Sequence, residues 1–204
     1  MSSKSSIFEK TYGDYLGQVA KIDFDSVAKR LNVKVEEGTF RIPMFGIPYR
    51  ISSRGITDPS GKRPSFDICV ILCKYLLLCP DTYPTADEWV SFRDLKDAGP
   101  LTTYFSNDVE RAIANEFSGR LDDLKKSSQA LGGYVPAIEL SYDLAVQLDP
   151  LPRVPVLLTY NDADDEFPAK CSVLFERRVE KYLDAECIAM VGAFVFTSLR
   201  KAGD

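Results

Sequence analysis

The amino-acid sequence predicts an α+β fold, a single domain with a mainly antiparallel sheet covered by helices, two of which are strongly buried. Two apolar segments, Val154–Tyr160 and Cys171–Phe175, alternate with a period of two on either side of an acidic turn, which is the signature of a strand pair. Leu157 and Leu174 add apolar residues on the opposite faces, so both strands are expected to be central. The order helix, helix, hairpin, helix, helix, strands, helix lacks the βαβ alternation of a parallel sheet. Two helical segments, Ser65–Leu78 and Ile188–Phe196, are apolar on nearly every side, as enclosed helices are. At 204 residues, with 45% hydrophobic and 27% charged residues, the chain has the size and composition of one globular domain with a full core.

Taken in order, Phe8, Tyr12, Tyr15, Leu16 and Val19 recur at helical spacing between Ile7 and Ala20, while residues 1–6 read as a frayed, serine-rich tail. A short helix follows, with Asp23 or Asp25 as its cap, Val27, Ala28 and Leu31 facing inward, and Asn32 at its exit. Thr39–Pro43 and Ile47–Ser52 predict a hairpin at a sheet edge, because Pro43 and Pro48 cannot donate to a ladder. Asp58-Pro59-Ser60-Gly61 suits a type I turn. Ser65 is the expected cap of the first enclosed helix. If Asp87–Phe92 is helical, Trp89 stands one turn before Arg93. Phe105, Val109, Ile113, Phe117, Leu121 and Leu124 predict one long surface helix that stops at Gly132-Gly133. Ile138–Leu140 and Leu144–Leu148 are strand candidates, before Pro150, Pro152 and Pro155 break the chain. Asp184 is the expected cap of the final helix, Ala185–Lys201.

The net charge of -5 and the pI near 5.0, with no basic stripe, argue against nucleic acid as a partner. The N-terminus lacks an apolar signal segment, and the longest apolar run, Ile68–Cys79, falls short of the ~20 residues that span a bilayer. The expectation is a cytoplasmic protein with no membrane contact. Five cysteines, an odd number, read as reduced thiols, and the absence of His removes Ser-His and Cys-His nucleophiles and imidazole metal ligands.

Two groups of residues carry candidate chemistry. Asp162, Asp164, Asp165 and Glu166 crowd one turn and could hold Mg²⁺ or Ca²⁺ through carboxylate oxygens. The pattern departs from a calcium loop, with Phe167 where the sixth-position Gly should stand, and a solvated turn is the competing reading. Phe167 is expected to tuck inward there. Trp89, Phe92 and Arg93 could bind a planar ligand by stacking and cation–π contact, with Trp89 and Arg93 as the chosen site residues. Cys69 and Cys73 lie on one helical face, but without a further ligand pair they read as small buried hydrophobes.

The pattern YNDADDEFPAKCSVLFERRVEKYLDAE, from Tyr160 to Glu186, together with DEWVSF, resembles the uncharacterised domain of unknown function 3786 family of anaerobic bacteria and archaea. The resemblance covers most of the chain and carries over no catalytic residues. Longer members resemble fusions with a cysteine-rich iron–sulfur module, which this chain lacks. The absence of His and of nucleophile–base pairs favours a non-catalytic accessory protein of anaerobic metabolism that binds a small-molecule cofactor or a protein partner. The alternative is a metal-dependent enzyme, using Mg²⁺ or Ca²⁺ at residues 161–166, in which at least three of the four carboxylates converge in a cleft.

Overall fold

A computed structural model describes residues 2–85 and 88–203, with side chains from Ile7 onward. The expected frayed tail and Asp87 of DEWVSF therefore involve Met1, the side chains of residues 2–6, and a residue outside those described. Two four-stranded antiparallel sheets and a layer of helices make up the α+β domain.

The N-terminal half is built on a meander. Helix α1 (Ser2–Val19) is followed by α2 (Phe24–Leu31), whose cap Asp23 accepts a hydrogen bond from the Ser26 amide at 3.1 Å and whose exit residue Asn32 adopts the left-handed conformation at φ 57°. Strands β1 (Lys34–Glu36), β2 (Thr39–Met44), β3 (Ile47–Ser52) and β4 (Gly55–Thr57) pair in chain order. Glu37-Gly38 and Phe45-Gly46 form the two-residue turns, with φ of 50° and 67°, and of 48° and 75°, as type I′ hairpin turns require. The predicted hairpin is therefore the middle of its sheet, not an edge. Pro43 and Pro48 face each other near the hairpin tip, beyond the reach of β1, which ends its pairing at Arg41, and of β4, which ends at Arg50. Neither ring interrupts a ladder.

The second sheet has the order β5-β8-β7-β6, formed by Trp89–Ser91, Lys170–Glu176, Val154–Asn161 and Leu144–Leu151. As the apolar parity predicts, β7 is buried along Val154–Tyr160, and Cys171, Val173 and Phe175 of β8 are buried beside it. Pro150 and Pro155 lie within strands rather than breaking the chain, because a register shift between Leu148 and Leu151 places both rings in a bulge. Ile138–Leu140 forms no strand and lies exposed. The two sheets are joined where the Phe45 amide donates to the Pro150 carbonyl at 2.9 Å.

The helical layer differs most from expectation. The long stripe is carried by α4 (Thr102–Phe105), a π-helical turn over Ser106–Glu110, α5 (Arg111–Phe117) and, after a break at Ser118-Gly119-Arg120, α6 (Leu121–Ala130). Phe105, Val109, Ile113 and Phe117 are all buried, each four residues after the last. On a 3.6-residue helix each such step overshoots by about 40°, and the wider π turn lets the stripe stay on one face. Both enclosed helices form as expected: α3 (Phe66–Leu77), and α7 (Ala185–Gly203), where Asp184 accepts from the Cys187 amide at 3.0 Å. Lys74 of α3 pairs with Asp184 at 3.1 Å, and the Tyr75 hydroxyl donates to the Pro152 carbonyl, so α3 is fastened to both α7 and the β6–β7 turn.

Cys69 and Cys73 are buried on α3, and burial pushes their thiols up to about 11 and about 12. They behave as apolar core atoms rather than nucleophiles. Gly192 of α7 allows the closest helix packing: a Cβ there would stand 2.8 Å from Phe105 Cζ and closer still to Cε2. The Phe105 ring cannot yield, since it stacks on Phe92 at 4.4 Å and meets Phe175 at 5.9 Å. Gly192→Ala is expected to lower stability by about 1–3 kcal/mol in chemical denaturation, the usual cost of overpacking a core.

Candidate functional site

The site follows from the length of β5. Along β8, alternate residues direct their backbone groups toward β7 or toward β5. Arg177 donates to the Glu88 carbonyl at 2.9 Å, and Val90 pairs with Phe175, so Val173 is the next β8 residue whose amide points to the β5 side. Its partner would be Phe92. The chain has already left the sheet there, entering a 3-10 turn over Phe92–Asp94 that the Ser91 hydroxyl closes by donating to the Asp94 carboxylate. Burial of Phe92 against Phe105 draws it out of the strand plane. The Val173 amide instead donates to Glu110 Oε1 at 3.1 Å. A carboxylate from the end of the π turn thus occupies the place of the missing strand carbonyl.

Between this truncated edge and the helix lies a cleft of about 310 Å³. Phe92 and Phe105 form its apolar floor, Ser106 and Ser172 line its sides, and Arg93, Lys170 and Glu110 supply its charges. Glu110 is held above the usual carboxylate range by burial, against the opposing pull of the Val173 amide, Arg93 and Lys170. A π turn recurs at functional sites, and here it sets both Ser106 and Glu110 on the cleft wall.

Of the residues singled out in the sequence, Phe92 and Arg93 line this cleft, Phe92 buried and Arg93 exposed. Trp89 does not line it. It is half-buried on β5, opposite Glu176, and since the segment is a strand, the helical turn that would have brought it beside Arg93 does not exist. Glu110 and Lys170 were missed. Glu110 flanks an apolar stripe, where an acid reads as an ordinary solvated residue, and only the register of β8 exposes its role.

The acidic turn is an internally bonded loop. Asp162 Oδ1 accepts from the amides of Gly119 at 2.7 Å and Ala163 at 2.8 Å and from the Tyr160 hydroxyl at 3.2 Å, tying the end of β7 to the break between α5 and α6. Burial would raise this carboxyl, but those donors outweigh it and hold Asp162 below the usual range. Asp164 Oδ1 accepts from the Glu166 and Phe167 amides at 2.8 and 2.7 Å, while Asp165 and Glu166 are exposed. Phe167 is 66% exposed and points outward rather than inward, because Asp164 captures its amide in a tight turn. Among the described residues no group of three or more Cys, Asp or Glu is placed to hold a metal ion.

A family model, the domain of unknown function (DUF3786), matches residues 23–198. The chain belongs to this family. The DUF3786 match begins at the cap of α2 and contains β5, the π turn and β8, so the whole cleft lies within it, while α1 lies outside. No curated protein and no solved structure matches the chain. Among the described residues no helix is long and apolar enough to cross a membrane.

Two outcomes are expected from these contacts. Glu110→Leu leaves the Val173 amide without an acceptor and should cost about 1–3 kcal/mol in urea unfolding, whereas Glu110→Gln keeps an acceptor oxygen and should stay close to wild type at low pH. Because the folded-state value of Glu110 is raised, its contribution to stability is present below its unfolded value and is lost as pH rises through the folded one. Glu110→Gln should therefore remove that loss and gain relative to wild type toward neutral pH. For the acidic turn, melting curves with millimolar Mg²⁺, Ca²⁺ or Mn²⁺ should coincide with the metal-free curve. A shift abolished by Asp162→Asn with Asp165→Asn would instead establish a cation site.

Proposed function

We propose that this protein is a non-catalytic, cytoplasmic accessory protein that binds a small polar ligand, a metabolite or part of a cofactor, in the cleft at the open edge of β8. One observation carries the reading: Arg93, Lys170 and the partly buried Glu110 line, with Ser91, Ser106 and Ser172, a space of about 310 Å³ that also holds Phe92 and Phe105. That combination of apolar surface and a few convergent polar groups is the usual composition of a ligand pocket, at the small end of the ~300–1,000 Å³ range. The chemistry around the cleft favours binding over catalysis. Cys171, the nearest thiol on β8, is buried and its thiol is pushed well up by that burial. Assignment to anaerobic metabolism rests on the family resemblance alone. The metal-dependent alternative finds less support, because Oδ1 of Asp162 and of Asp164 already accepts backbone amides and no three carboxylates among the described residues are placed to share a cation.

Native mass spectrometry of protein purified anaerobically from its own host tests the reading. A retained small molecule is expected on the wild type and reduced or absent on Arg93→Ala with Lys170→Ala. Equal retention by both proteins would place the ligand elsewhere.

A further inference from the structure

We infer that the cleft selects a zwitterion of the α-amino-acid class, with the carboxylate of the ligand set between Arg93 and Lys170 and its ammonium set against Glu110. This rests on the reading of the cleft as a small-ligand site and narrows it by charge and size. The cleft carries two cations and one anion on its walls, with Arg93 in an exposed pair with Asp94 at 3.8 Å, a contact worth little in solvent. A simple carboxylate or phosphate would satisfy Arg93 and Lys170 but bring like charge toward Glu110. A simple amine would satisfy Glu110 but meet both cations. A ligand bearing both charges on neighbouring atoms meets each wall group with its opposite, so the same three residues attract the zwitterion and disfavour either half of it.

The geometry supports a fixed ammonium acceptor. Glu110 Oε1 is anchored by the Val173 amide at 3.1 Å, which orients the carboxylate and leaves its second oxygen for a donor from the cleft. The stacked Phe92 and Phe105 give the same cleft its apolar surface, against which the carbon skeleton of the ligand can pack. Ser106 and Ser172 offer hydroxyl donors to the ligand carboxylate beside the two cations. A space of about 310 Å³ suits a free amino acid or a compact amino-acid-like metabolite.

Calorimetry on the full chain, with thermal shift as the first screen, decides the matter. The panel consists of the proteinogenic amino acids, their des-amino acids such as propionate and phenylpropionate, their decarboxylated amines such as ethylamine and phenethylamine, and inorganic phosphate. At least one amino acid should bind tenfold or more tightly than both its des-amino and its decarboxylated analogue. Glu110→Gln, which keeps an acceptor for the Val173 amide, should erase the advantage over the des-amino acid while leaving carboxylate binding in place. Carboxylates or phosphate binding as tightly as amino acids, or an advantage that survives in Glu110→Gln, would overturn the zwitterion assignment and leave the cleft as an anion site. Binding by no member of the panel would overturn both the assignment and the ligand-site reading beneath it.

Discussion

A central strand must satisfy its backbone groups on both sides, and β8 is given a neighbour of only three residues on one of them. Much of the C-terminal half is arranged around that deficit. Phe92 leaves the sheet to stack on Phe105, Phe105 presses against Phe175 and against the gap at Gly192, and the helix carrying Phe105 passes close enough for Glu110 to replace the absent carbonyl. The π turn belongs to the same solution. It keeps Phe105, Val109, Ile113 and Phe117 on the buried face while turning Ser106 and Glu110 to the edge. The cleft is the space left where a strand would have continued.

The rest of the molecule fixes this edge in place. On the other side β7 supplies β8 with six paired residues, Val156–Asn161, and is itself buried throughout its apolar length. The bulged β6 joins the sheet to the meander through the Pro150 carbonyl, and α3 grips the β6–β7 turn through Tyr75. Asp162 fastens the far end of β7 to the corner between α5 and α6. The acidic turn, the most conspicuous polar feature of the sequence, thereby ties the strand beside β8 to the helical layer that faces the cleft. A carboxylate saturated by amides is well suited to that task, because charge-assisted hydrogen bonds are stronger and more directional than neutral ones.

What the sequence made legible were features decided locally. Alternation over Val154–Tyr160 and Cys171–Phe175 identified β7 and β8, and Asp23, Asn32 and Asp184 marked helix ends through side chains that act within one turn. What it hid were features decided by distant partners. Trp89–Ser91 is too short to show a period and is a strand only because β8 lies beside it. Pro150 and Pro155 read as breakers, yet the bulge between Leu148 and Leu151, which holds one and faces the other, absorbs both. The helix break at Gly119, with φ 71°, is held by an aspartate 43 residues away in the chain. For the same reason Arg93 could be picked out beside Trp89 as a stacking candidate, while Glu110 and Lys170 could not be joined to it before the sheet register was known.

The central claim is that Glu110 completes the edge of β8, and hydrogen exchange at the Val173 amide tests it most directly. The amide should be protected in the wild type to a degree comparable with its ladder neighbours on β8, and in Glu110→Ala it should exchange at least tenfold faster while Leu174 and Phe175 are unchanged. Equal protection of Val173 in both proteins would show that another group satisfies it and would contradict the account of how the cleft is formed.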